Sequence, residues 1–175
     1  MSQVVLIQGS LNKESRTAIL IQYAADELKR AGLELELLDL RNIQMEFCDG
    51  RSLKEYHPDM QQAYQTMEKA DAFVIGMPVY CYSVSGPLKN FIDITSGAME
   101  KKIAGILCNA GGKQSYMASA DLSNILAYES RVTTVQPIVY SSSEDYDDYR
   151  LTSNKVQSKV RELVDHLARQ LKNHS

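Results

Sequence analysis

Three segments hold the residue types that could do chemistry, and each follows a short apolar run. The first is Gly9-Ser-Leu-Asn-Lys-Glu-Ser-Arg-Thr17, directly after Val4-Val5-Leu6-Ile7. A loop that opens a helix presents free N–H groups and the positive end of the helix dipole. Ser10, Ser15 and Thr17 add hydroxyls, and Arg16 or Lys13 adds positive charge. Those are the parts of a phosphate site. The plainer alternative is that the hydroxyls only cap the helix. Neither G-x-G-x-x-G nor G-x-x-x-x-G-K-[ST] occurs here.

The second segment is Pro78-Val79-Tyr80-Cys81-Tyr82-Ser83, continuing through Val84-Ser85-Gly86 to Pro87. It carries no charge, which suits a wall for a flat aromatic ligand better than a solvent loop; Tyr80 or Tyr82 could stack or edge-pack on a ring. The same tyrosines could instead cover the sheet end or a subunit interface. Cys81 has no histidine near it in sequence and reads as a small loop residue rather than a nucleophile. The third segment is Asn109-Ala-Gly111-Gly112-Lys-Gln-Ser115. Paired glycines let backbone N–H groups approach a ligand closely, although a plain strand-to-helix turn would look the same.

The elements that must position these segments alternate in period. Ile21, Ala24, Ala25 and Leu28 fall on one helical face, with Gly32 as the stop. Leu33 to Leu40 alternates like a strand near a sheet edge. A helix over 59–70, a two-faced apolar strand over 72–77, and a helix opened by Pro87 follow. A second two-faced strand spans Ile103 to Cys108, and a helix spans about 115–128. A β-rich stretch from Val132 to Tyr140 comes next, then a last helix with Val156, Val160, Leu163, Val164, Leu167 and Leu171 as its stripe. Five strands alternating with five helices mean parallel βαβ units in a doubly wound α/β sheet. Such sheets bind ligands beyond the carboxyl ends of their strands, where the three segments sit.

Composition excludes several classes. The chain has 175 residues, one domain's worth, with a formal net charge of −3, which argues against non-specific nucleic-acid binding. Cys48, Cys81 and Cys108 are too few and too scattered for a disulfide framework or a cysteine-built metal site, and fit a reducing cytoplasm. No stretch reads as a signal peptide or membrane span. His57, His166 and His174 sit in a loop, a helix and the tail, where they read as solvated or structural. The acidic stretch from Glu144 to Asp148 reads as a solvated loop, and 41–58 as a lid or a long connection.

Together the three segments resemble the NADPH-dependent FMN reductase family of the flavodoxin-like superfamily. Gly9-Ser10 with Ser15 and Thr17 is similar to its phosphate loop, and Pro78 through Asp93 to its ring loop and following helix. Gly111-Gly112 is similar to its second ring loop. The resemblance implies a five-stranded sheet of order 2-1-3-4-5 with helices on both faces. It further implies bound FMN, NADPH or NADH as co-substrate, and ping-pong transfer to a flavin, quinone or other small acceptor. Loop hydrogen-bond donors near the flavin N1 and O2 edge would stabilise the reduced ring. A homodimer or homotetramer, with flavin sites at the interface, is implied too. The cofactor contacts expected are Ser10, Asn12, Ser15, Arg16, Thr17, Pro78, Val79, Tyr80, Cys81, Tyr82, Ser83, Asn109, Gly111 and Gly112. No protein acid, base or nucleophile is needed, because the hydride chemistry belongs to the flavin.

Two departures stand out. Many family members carry arginine where Asn12 stands, which moves the expected counter-charge to Arg16. The iron–sulfur branch has a cysteine cluster in the stretch matching 43–60, where this chain has only Cys48; one thiolate cannot hold a cluster that needs four, so no metal centre is expected. The alternative reading is a flavodoxin-like electron carrier that never meets a nicotinamide. A serine hydrolase built on Gly9-Ser10-Leu11 lacks an Asp/His partner, and a phosphorelay receiver lacks the acidic residues it needs after the first and third strands.

Overall fold

Val4, Val5, Leu6 and Ile7 are buried on both faces, as a central parallel strand between two helical layers must be. They form β1 (Gln3–Gln8), which pairs in parallel with β2 (Glu34–Asp39) and β3 (Ala72–Tyr80). β3 pairs with β5 (Ile103–Asn109), which in turn pairs with β6 (Thr133–Ser141). In this computed structural model, which describes residues 2–174, the sheet order is β2-β1-β3-β5-β6. Counting only these long strands, that is the expected 2-1-3-4-5. The side chain of His174 lies outside what is described.

Side chains alternate across the sheet. Val4, Leu6, Val74 and Leu107 pack under α1 (Arg16–Arg30) and α5 (Asn154–His174). Val5, Ile7, Phe73, Ile75 and Ile106 pack under α2 (Pro58–Lys69), α3 (Gly86–Thr95) and α4 (Ala118–Ser130). All six residues of the α5 stripe are buried, as are Ile21, Ala24 and Leu28 of α1. Each fully buried Leu, Ile or Phe contributes roughly 1.5–3 kcal/mol of transfer free energy. Gly32, at φ +80°, closes α1.

Four details differ from the sequence reading. β3 runs through Pro78 to Tyr80 and turns back into a sixth strand, β4 (Ser83–Val84). Pro78 is tolerated because β1 has already ended opposite Gly76, so no neighbour needs its N–H. The third helix ends its α-form at Thr95 and tightens to a 3-10 turn over Ser96–Met99. α4 begins at Ala118, after the glycine-rich loop has finished its turn.

The acidic stretch is an ordered corner rather than a solvated loop. The Asp145 carboxylate accepts from the Ser142 N–H at 2.8 Å, and β7 (Tyr146–Asp147) pairs with β8 (Arg150–Leu151). Residues 41–58 form a connection pinned to α3. The Cys48 N–H donates to the Asn90 side chain at 2.8 Å, and Asn90 donates to the Glu46 carbonyl at 2.9 Å.

Candidate active site

The loop after β1 is held from below. The Gly9 N–H donates to the Gly76 carbonyl at 3.0 Å, and a Cβ built on Gly9 would lie 2.6 Å from that oxygen. Gly76 in turn leaves room for α1, since its own Cβ would lie 2.6 Å from Ile21 and 2.9 Å from Thr17. Two glycines thus let the first turn of α1 settle directly onto the crest of β3.

Gln8, the last residue of β1, clamps the loop. Its Oε1 accepts from the Ser10 N–H at 2.6 Å, and its Nε2 donates to the Ser10 carbonyl at 2.8 Å and to Asp39 at 3.0 Å. Arg41 grips Asp39 through both carboxylate oxygens and donates to the Lys13 carbonyl at 3.3 Å. Burial opposes ionisation of Asp39, yet the hydrogen bonds from Arg41 and Gln8 hold its carboxyl below the usual carboxylate range.

Ser10, Ser15 and Thr17 are all buried within this frame. The Ser15 oxygen caps α1 by accepting from the Ala18 N–H at 3.1 Å, and the Ser10 oxygen accepts from the Asn12 N–H at 3.3 Å. Capping therefore occurs, and it leaves both hydroxyl protons to donate elsewhere. The N–H groups of Arg16 and Thr17 belong to the first helical turn, which has no carbonyl behind it.

The wall after β3 is a tight two-residue turn. Val79–Tyr80 pairs antiparallel with Ser83–Val84, and Cys81 and Tyr82 turn at φ +50° and +60°. Such hairpin turns normally use Asn-Gly; here two ordinary side chains occupy the left-handed region and stay exposed. Tyr82 is 65% exposed. The Ser83 hydroxyl is engaged, donating to Asp121 of α4 at 2.6 Å.

The third loop hangs from the β6 end. Tyr140 donates to the Gly112 carbonyl, Ser143 donates to the Gly111 carbonyl at 2.7 Å, and Lys113 pairs with Glu144. With those carbonyls drawn one way, the N–H groups of 111–114 make no hydrogen bond among the described residues. A Cβ on Gly111 or Gly112 would meet nothing within 4 Å. This loop and the β3 turn enclose an open cleft of about 390 Å³, lined by Val79, Cys81, Tyr82 and residues 110–115, with Glu144 at its rim.

The expected residues thus divide. Val79, Cys81, Tyr82, Gly111 and Gly112 meet in the cleft, while Tyr80 and Ser83 of the same turn do not line it. Ser10, Ser15 and Thr17 converge at the crest of β1. Asn12 and Arg16 line a separate groove of about 320 Å³ against Asp148 and Tyr149. Pro78 is buried in the sheet, and the Asn109 amide is turned to Ser141 at 3.0 Å. There it joins a knot with Tyr146, whose hydroxyl burial pushes up to about 12. Burial likewise pushes the Cys108 thiol up to about 12, leaving it inert. His57 caps α2 and His166 bonds the Gln136 carbonyl, so neither faces the cleft.

Sequence reasoning missed Gln8, Tyr140 and the Lys113–Glu144 pair. Gln8 did leave a signal: a long polar side chain ending a fully apolar run needs a buried partner.

The NADPH-dependent FMN reductase family model matches residues 2–147. The chain belongs to that family. It is therefore an oxidoreductase that uses FMN and a reduced nicotinamide. Among relatives, an NAD(P)H-dependent FAD/FMN reductase of Geobacillus thermodenitrificans is 32% identical over 157 residues, covering 88% of this chain and 83% of its own. An iron–sulfur flavoprotein of Archaeoglobus fulgidus is 35% identical over 96 residues, covering 52% of this chain and 47% of its own. The fold is shared with a flavoenzyme NAD(P)H:(acceptor) oxidoreductase of Paracoccus denitrificans, at TM-score 0.82 and 21% identity, over 99% of both chains. Unpaired N–H groups and buried hydroxyls at one crest, beside a cleft floored by glycine backbone whose only charged lining residues, Lys113 and Glu144, pair with each other, fit the phosphate and ring of FMN. Among the described residues no three His, Cys, Asp or Glu side chains gather to hold a metal.

Proposed function

We propose that the chain is an NAD(P)H:acceptor oxidoreductase that grips FMN at two places, the phosphate at 10–17 and the ring between 79–83 and 110–115. The observation supporting this is the pairing of a clamped loop with free donors and, beyond it, a cleft whose glycine N–H groups are left unbonded. FMN, when bound, supplies a two-electron carrier between the nicotinamide and a small acceptor such as a flavin or quinone.

The protein's own work is binding and exclusion. Ser10, Ser15, Thr17 and the first-turn N–H groups hold the phosphate, with Arg16, which forms no ion pair among the described residues, as counter-charge. Tyr82 and Val79 fix one side of the ring. The 111–114 N–H groups lie against its polar edge and stabilise negative charge there. One site then takes donor and acceptor in turn, a ping-pong scheme. Tyr80 and Tyr82 of the β3 turn are exposed apolar surface at the sheet end, and a second copy of the chain covers them in a homodimer or homotetramer. Three free cysteines fit a cytoplasmic setting.

The test is anaerobic addition of NADPH or NADH to the FMN-loaded protein. Rapid loss of the oxidised-flavin absorbance is expected, followed by its return with a quinone and parallel double-reciprocal plots. If neither nicotinamide reduces the bound flavin, the proposal is wrong, and a stable blue semiquinone would point to a carrier instead.

A further inference from the structure

Behind the ring cleft, on the far side of loop 111–116, lies a second cleft of about 470 Å³. It opens between the end of β6 and the starts of α4 and α5. Its walls include Tyr116, Tyr140, Lys113, Lys155 and Lys159, with Asp145 as a carboxylate. Asp145 is already occupied by the Ser142 N–H and hydroxyl, and Lys113 by Glu144. Lys155 and Lys159 are exposed and form no ion pair among the described residues.

Those two lysines stand four apart on the first turns of α5, so their like charges are stacked on one face. They sit besides at the positive end of a 21-residue helix dipole. Lys155 and Lys159 thus carry two unpaired positive charges beside one carboxylate that is already hydrogen-bonded, and an anion would relieve their repulsion. The flanking tyrosines offer flat faces suited to a base. Lys113 lines both clefts, so a ligand with one end in each needs to cross only this loop.

Resting on the oxidoreductase reading above, we propose that the second cleft binds the phosphorylated adenosine half of NADPH, and that Lys155 and Lys159 select NADPH over NADH. The nicotinamide then reaches the ring cleft across Lys113. The ribose 2′-phosphate, close to a dianion at neutral pH, meets the two lysines, and the adenine lies against Tyr116 or Tyr140. NADH lacks that phosphate and gains nothing from the lysines.

The test is a double variant, Lys155→Gln with Lys159→Gln, read in two ways. Wild-type kcat/KM is expected to favour NADPH. In the variant, NADPH kcat/KM falls by about tenfold or more, as loss of charge-assisted hydrogen bonds implies, while NADH kcat/KM moves less than twofold. Calorimetry on FMN-free protein should show adenosine 2′,5′-bisphosphate binding tighter than AMP, and the variant should abolish that difference. Equal losses for both nicotinamides, an unchanged ratio, or no preference for the bisphosphate would overturn the inference. If both nicotinamides still reduce the flavin while the ratio stays fixed, only this subsite is lost. Should neither reduce it, the oxidoreductase reading itself fails.

Discussion

The loop after β1 and the turn after β3 serve neighbouring parts of one proposed ligand, yet they are held in opposite ways. Residues 9–17 are bonded downward into the sheet through Gly9, Gln8 and the Asp39–Arg41 pair, and the hydroxyls among them are buried. Cys81 and Tyr82 are exposed and sit at positive φ, where an L side chain is disfavoured. A phosphate needs fixed donors and rewards rigidity. In the ping-pong scheme proposed above, a ring that admits a nicotinamide and then an acceptor to the same face needs an accessible wall, and the strained β3 turn is suited to present one.

The largest expected effect comes from breaking the rigid side. Gly9→Ala drives a methyl into the Gly76 carbonyl, which is backbone and cannot swing away. We expect a stability loss of about 1–3 kcal/mol in urea unfolding, with FMN affinity falling by a larger factor than in any variant of the β3 turn. Next is Gln8→Leu, which strands the Ser10 backbone groups and one bond to Asp39. A buried unsatisfied group costs about 1–3 kcal/mol, so fluorescence titration should show FMN affinity falling roughly tenfold or more. Gln8→Glu should not rescue it, because a carboxylate cannot donate to the Ser10 carbonyl.

Tyr82→Gly sharpens the contrast by separating stability from binding. Glycine relieves the positive φ, so the urea midpoint should rise by roughly 1 kcal/mol equivalent. FMN affinity should nonetheless drop several-fold as the aromatic wall is lost. A fall in both, or a rise in both, would show that the turn is not strained for the ligand's sake.

The smallest effect is in pH. Asp39 has a folded pKa below its unfolded value, so its contribution is present above about pH 4 and is lost as pH falls through the lowered folded value. Wild-type stability should therefore drop across that acid window more steeply than that of Asp39→Asn, in denaturant melts taken at successive pH values.

Much of this was legible in the residues themselves. Val4–Ile7, the two-faced strands at 72 and 103 and the α5 stripe declare their elements because burial on a fixed period leaves few alternatives. Lys89 and Asp93, four apart on α3, pair at 2.5 Å. The rest depended on contacts remote in sequence. Pro78 looked like a strand end, and only the early stop of β1 makes it an interior position of β3. The Asn109 amide meets Ser141 of β6, a partner that nothing near it in sequence announces. The acidic corner reads as solvent until Tyr146 and Leu151 fold inward from it. Gln8 and Tyr140, which hold two of the three loops, act on backbone atoms, and a sequence gives no type-specific mark for that role.

The central claim is that two sets of backbone N–H groups that make no hydrogen bond among the described residues, at 15–17 and at 111–114, close on one FMN molecule. Amide hydrogen exchange measured with and without FMN tests it most directly. Slower exchange in both segments together, with the sheet's opposite rim at 101–103 unchanged, is the predicted result. Saturating FMN that left either segment exchanging at its free rate would contradict it.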